Sequence, residues 1–101
     1  MAERMIRMTD TYAEFATNTQ SAVRGRFSIP KWLCSFYRVG SGDSVEIRVE
    51  GRNGDFSGTV QLTSGTEIVA PRGSELYRIA SPGARIKVVV YRPEPTKMAV
   101  T

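Results

Sequence analysis

The sequence predicts a mainly β domain, closed on itself, with two short helices and an internal two-fold repeat. Three observations lead there. The segment Tyr37–Arg52, YRVGSGDSVEIRVEGR, returns as Tyr77–Arg92, YRIASPGARIKVVVYR. Short runs of alternating apolar and polar residues, bounded by Gly-, Pro- or Asn-containing turns, outnumber stretches at helical spacing. With 101 residues and 41% hydrophobic content the chain can fill one core only, so residues 1–101 read as a single domain.

Met1–Asp10 mixes both charges with isolated apolar residues and reads as a flexible lead-in. TYAEFAT follows as a half-buried strand, with Ala13 and Phe15 on one side and Tyr12 and Glu14 on the other. Asn18–Gly25 is small and polar, a loop. RFSIP places Phe27 and Ile29 on one face. Pro30 is suited to the first position of a helix, where its missing N–H is not needed. In the helix PKWLCSFYRV, Trp32/Phe36 and Leu33/Tyr37 form two apolar columns that predict a core-facing stripe. SVEIRVE is the cleanest strand, with Val45, Ile47 and Val49 alternating against charged residues. GRNG offers an Asn-Gly pair for a hairpin, and DFSGTVQL pairs back, Gly58 marking a bulge or a close approach. After the TSG turn come the strand TEIVA and a weaker helix opened by Pro71 that contains Gly73. The last strand, ARIKVVVYR, turns Ile86, Val88 and Val90 inward. The segment 93–101 has no pattern that demands order and reads as flexible.

Each half therefore reads strand, Pro-opened helix, Gly-containing turn, alternating strand. The offset is 40 residues at the Tyr-Arg pair and 41 after the turn. A unit of this size cannot bury its own apolar face. Two copies around a shared core solve that problem and hide sheet edges.

Composition removes several function classes. One cysteine and no histidine leave no intramolecular disulfide, no plausible zinc site and no His-dependent catalysis. Cys34, among apolar neighbours, reads as a buried thiol and not a nucleophile. Asp43 reads as a turn cap. No paired carboxylates or phosphate-cradling loop stand out, so the prediction is a protein that is not an enzyme and uses no cofactor and no metal. No apolar run approaches the roughly 20 residues of a membrane span, and the N-terminus lacks a secretory pattern; a cytoplasmic protein with no membrane contact is expected. The net charge is +4, from 11 arginines and three lysines against 10 carboxylates. From Phe15 to Gly42 there is no carboxylate, while Arg24, Arg26, Lys31 and Arg38 lie there. Arginine's planar fork suits phosphate and guanine edges.

GRFSIPKWLCSFYRVGSGDSVEIRVEG, Gly25 to Gly51, resembles the AbrB-like family of small bacterial DNA-binding regulators through Gly25-Arg26, Ile29-Pro30-Lys31, a short helix, Gly42-Asp43 and the alternating strand after it. The same pattern is similar to the DNA-binding pseudobarrel family of plant transcription factors and restriction-endonuclease effector domains, in which one chain supplies both halves. The second half departs from the motif, with VAPRG for Ile-Pro-Lys and Gly83-Ala84 for Gly42-Asp43. The resemblance implies a closed or pseudo-barrel of about seven strands and two short helices, and a sequence-preferring, double-stranded DNA-binding module concerned with transcription regulation. It also implies two groove-gripping loops, Thr17–Arg26 and Thr63–Thr66. Asn18, Gln20, Arg24 and Arg26 then become base or phosphate contacts, Lys31 a phosphate contact, and Thr63, Ser64 and Thr66 hydrogen-bonding residues of the second loop. With both halves in one chain, a monomer is favoured over an AbrB-like dimer. The alternative expectation is a protein-interaction barrel that keeps the fold without DNA.

Overall fold

The computed structural model describes residues 4–63 and 65–93. Seven strands and two helices follow in order: β1 (Arg4–Met8), β2 (Tyr12–Asn18), β3 (Arg26–Ser28), α1 (Lys31–Tyr37), β4 (Ser44–Gly51), β5 (Gly54–Gln61), β6 (Glu67–Val69), α2 (Glu75–Ile79) and β7 (Arg85–Tyr91). A five-stranded sheet has the order β1-β2-β7-β4-β5, and β3 and β6 form a separate two-stranded ribbon. All these pairings are antiparallel.

The repeat is real in three dimensions. β2-β3-α1-β4 and β5-β6-α2-β7 are equivalent, and exchanging them maps the order β2-β7-β4-β5 onto itself. At the 41-residue offset the pair Ile47↔Val90 becomes Val88↔Val49, and Arg26↔Val69 becomes Glu67↔Ser28; all four pairs occur. The Ile29 N–H donates to Thr66 O at 2.9 Å and the Ala70 N–H to Gly25 O at 2.8 Å, again exchanged by the same offset. Inward side chains of both halves fill one core: Phe15, Phe27, Ile47 and Val49 from the first, Ile68, Leu76, Ile86 and Val88 from the second. Each such burial contributes about 1.5–3 kcal/mol.

Of the closed or pseudo-barrel of about seven strands and two short helices that the resemblance implies, the seven strands and two helices are present, and the sheets are not closed. Among the described residues the ladder does not run around: β1 and β5 are edges, and the β3–β6 ribbon meets the other strands through the single bridge Leu62↔Ile68.

Other differences have local causes. Within the lead-in, Arg4–Met8 is a strand on the edge beside β2, with Met5 and Met8 against the core. Its register shifts between Met5 and Arg7, a bulge that with Arg4 and Arg7 guards the open edge. Pro30 is the residue before α1, at ψ 134, not its first turn. Pro71 does not open α2; Ser74 does, its hydroxyl accepting the Tyr77 N–H at 3.1 Å, a cap of about 1 kcal/mol. Gly73, at φ +85, lies in the turn ahead of it. The pairing of β4 with β5 is unbroken at Gly58, where the Phe56 ring occupies the space a Cβ would need. Residues 94–101 lie outside the described residues, so the expectation about the tail does too.

A candidate nucleic-acid interface

α1 buries one arc only. Leu33, Cys34 and Tyr37 face the core, whereas Trp32 and Phe36 are 51% and 48% exposed. The expectation of two buried columns is thus half corrected. The columns stand about 100° apart on a helix, and Cys34, not Trp32, shares the inward arc with Leu33. Tyr37 can be buried because its hydroxyl donates to Thr9 O at 3.0 Å. Burial pushes its phenol up from the ordinary 10.0, with Arg92 opposing, and burial likewise pushes the Cys34 thiol up.

The outward face of α1 carries Lys31, Trp32, Ser35 and Phe36, with Arg38 just beyond. Arg38 caps the helix in the left-handed conformation, φ 59, and its neighbour's N–H, from Val39, returns to Cys34 O at 2.9 Å. Arg92, at the end of β7, lies over both Phe36 and Tyr37, 6.0 and 5.7 Å from the ring centroids. Among the described residues Lys31, Arg38 and Arg92 have no carboxylate partner within ion-pair distance. Three cations and two exposed rings therefore share one edge. Sequence reading found Lys31 but missed Arg92, which arrives from the far end of the chain.

The predicted first-loop residues are bonded within the fold. Asn18 Oδ1 accepts from Arg85 at 2.7 Å. Gln20 donates to Glu67 at 2.8 Å, and Arg26 lies 4.0 Å from the same carboxylate. Arg24 donates to the Arg78 carbonyl at 3.2 Å and stands 5.8 Å over the Tyr77 ring, satisfying the end of α2 where carbonyls lack helical partners. In the second loop, Thr63 donates to Glu67 O at 3.1 Å and Thr66 O accepts from Ile29; Ser64 lies outside the described residues. Because β3 and β6 are antiparallel, the two loops stand at opposite ends of the ribbon, with Gln20 and Glu67 linking them. The outer face of the large sheet is balanced in charge: Lys87 bridges Glu14 and Glu50 at 3.3 and 3.2 Å, hydrogen bonds that, Glu50 first, raise its ammonium.

Among the described residues no group of carboxylates and thiol is placed to hold a metal ion, and no helix is long and apolar enough to cross a membrane. Fold and edge together define a β-rich module of two fused strand-strand-helix-strand units. No protein-family model matches the chain, and no curated protein matches it. The solution structure of PHS018 from Pyrococcus horikoshii is similar: TM-score 0.59 and 26% identity, over 86% of this chain and 100% of that one.

Proposed function

We propose that this protein is a non-catalytic, cytoplasmic, monomeric module that binds double-stranded DNA along the α1 edge. The observation that carries the proposal is the grouping of Lys31, Arg38 and Arg92, which among the described residues have no carboxylate within ion-pair distance, along the segment Phe15–Gly42 that has no acidic residue; Asp10, whose carbonyl accepts from Arg92 at 3.4 Å, is the acidic residue at this edge. Such cations neutralise phosphates and release counterions. The two-fold fusion of strand-strand-helix-strand units in one chain supports the pseudobarrel comparison. Because Asn18, Gln20 and Arg24 are engaged internally, the contact is mainly to phosphate, and base preference comes second.

Trp32 is the sole tryptophan and sits on this edge, so its emission reports binding. Three neutralised phosphates give a slope of about −2.7 in log affinity against log salt, roughly a 40-fold loss between 50 and 200 mM. Lys31→Glu with Arg38→Glu should flatten that slope, and Arg72→Glu, at an exposed turn, should not. No binding at 50 mM salt, or equal effects of the two changes, overturns the proposal.

A second reading, docking of a protein partner, is favoured by the half-exposed Trp32 and Phe36. Trp32→Ser with Phe36→Ser, followed by the anisotropy of a fluorescently labelled duplex, separates the two: duplex affinity falls little if phosphates carry it.

A further inference from the structure

The two halves diverge at one loop. In the first, Asp43 precedes β4 and its carboxylate accepts the Gly40 N–H at 2.8 Å. Its equivalent is Ala84: the Leu62 N–H donates to Asp43 O and the Thr19 N–H to Ala84 O, both at 2.9 Å. Ser44 becomes Arg85. The loop before β7, Ser81–Arg85, thus has no carboxylate where the first half has Asp43, and has a guanidinium where the first half has Ser44. It is held by a neutral group instead, since the buried Thr19 hydroxyl accepts the Ala84 N–H at 2.8 Å and donates to Ser81 O.

Beside this loop is a hollow of about 440 Å³, lined by Arg52, Asn53, Ile79, Ser81 and Arg85 among others, with no carboxylate in its wall among the described residues. That volume is within the range of small-molecule sites. Its two guanidinium groups come from separate elements; that of Arg85 is bonded to Asn18, and that of Arg52 extends from a turn whose backbone is fastened. Arg85 donates one bond to Asn18, leaving most of its five donors unused. Arg52 rides on the β4–β5 turn, which Arg78 fastens to α2 through a 2.6 Å bond to Asn53 O. Among the described residues neither arginine has a carboxylate partner within ion-pair distance. Close packing adds to this: a Cβ on Gly51 would come within 3.2 Å of methyl groups of Ile79 and Ile86.

We propose that this hollow is a binding site for a phosphorylated small molecule of about nucleotide size. The phosphate is held between Arg52 and Arg85, whose forks match its oxygens, and the organic part lies against Ile79. The site is distinct from the α1 edge and does not depend on duplex binding there.

The test is an amide-shift titration of the full ¹⁵N-labelled chain with adenosine 5′-monophosphate, inorganic phosphate and a short duplex as separate probes. The expected result is saturating shifts at Asn53, Gly83, Ala84 and Arg85 with the monophosphate, and affinity about tenfold tighter than for inorganic phosphate. Arg52→Ala and Arg85→Ala should each weaken it about tenfold, while Arg72→Ala leaves it unchanged. Equal affinity for inorganic phosphate and the monophosphate, shifts confined to α1, or binding indifferent to both arginine changes overturns the assignment. If only the duplex moves these amides, the phosphates come from a nucleic-acid backbone and the small-molecule site is refuted.

Discussion

Gly25→Ala tests whether the loop before β3 is welded to the second half of the molecule. Gly25 has φ +86, and its N–H donates to Ala80 O while its carbonyl accepts from Ala70, both at 2.8 Å. An alanine there meets two penalties. The left-handed backbone costs about 1–2 kcal/mol for a residue with a Cβ. The Cβ would also stand 2.7 Å from Tyr77 Cδ1 and 3.2 Å from Cε1. That ring belongs to α2, whose C-terminal end is bonded to Gly25 itself, so relief requires moving the joint; overpacking of this kind costs about 1–3 kcal/mol. The expected total is about 2–5 kcal/mol. Gly42→Ala is the control, because Gly42 has φ +89 with nothing near its would-be Cβ, leaving only the backbone cost. Urea unfolding followed by circular dichroism should show a lower midpoint for both at similar slope, and the larger drop for Gly25→Ala. Adding Tyr77→Leu should return at least about 1 kcal/mol to the Gly25 variant alone. Equal losses at the two glycines, with no coupling to Tyr77, would falsify the welded-loop account.

Arg38→Gly should raise stability by about 0.5–1 kcal/mol by relieving the left-handed cap, while lowering duplex affinity a few-fold through loss of one phosphate contact. A urea midpoint and a Trp32 titration on the same sample check both signs. Thr19→Val removes the hydroxyl's bonds to the Ala84 N–H and the Ser81 carbonyl, which keep their 3.1 Å bond to each other, and should cost about 1–2 kcal/mol, read as a lowered melting midpoint. Stability should also fall in alkali. The folded thiol of Cys34 is raised above its ordinary 9.0, so its contribution is complete below that pH and lost as pH climbs through the folded value. Tyr37 and Lys87 act in the same direction from 10.0 and 10.5 upward. Cys34→Ala should therefore delay the onset of the loss, as followed by urea midpoints from pH 8 to 11.

Strand faces were legible where alternation was clean. Val45, Ile47 and Val49, and Ile86, Val88 and Val90, all point inward as their period of two requires. β1 was not legible, because two arginines interrupt its apolar residues and an edge strand needs only Met5 and Met8 to touch the core. For the candidate interface, sequence brought forward Lys31 and the acid-free stretch around it. It could not show that Arg24 serves the end of α2, or that Arg92 joins α1 from the chain's other end. The single carboxylate of Glu67 engages Gln20 and Arg26, a meeting that depends on the ribbon between the halves.

By itself the sequence determined the two-fold plan, the order of elements after β1 and the inward face of the long strands, because these follow from local periodicity and a repeat offset of 40 to 41 residues. Only the tertiary structure decided that Trp32 and Phe36 face water, that the ladders stop short of closure, and which cations pair with carboxylates among the described residues. Those outcomes depend on contacts such as Arg24 with Arg78, 54 residues apart. No pattern along the chain encodes such a separation; it exists only once both halves share one core.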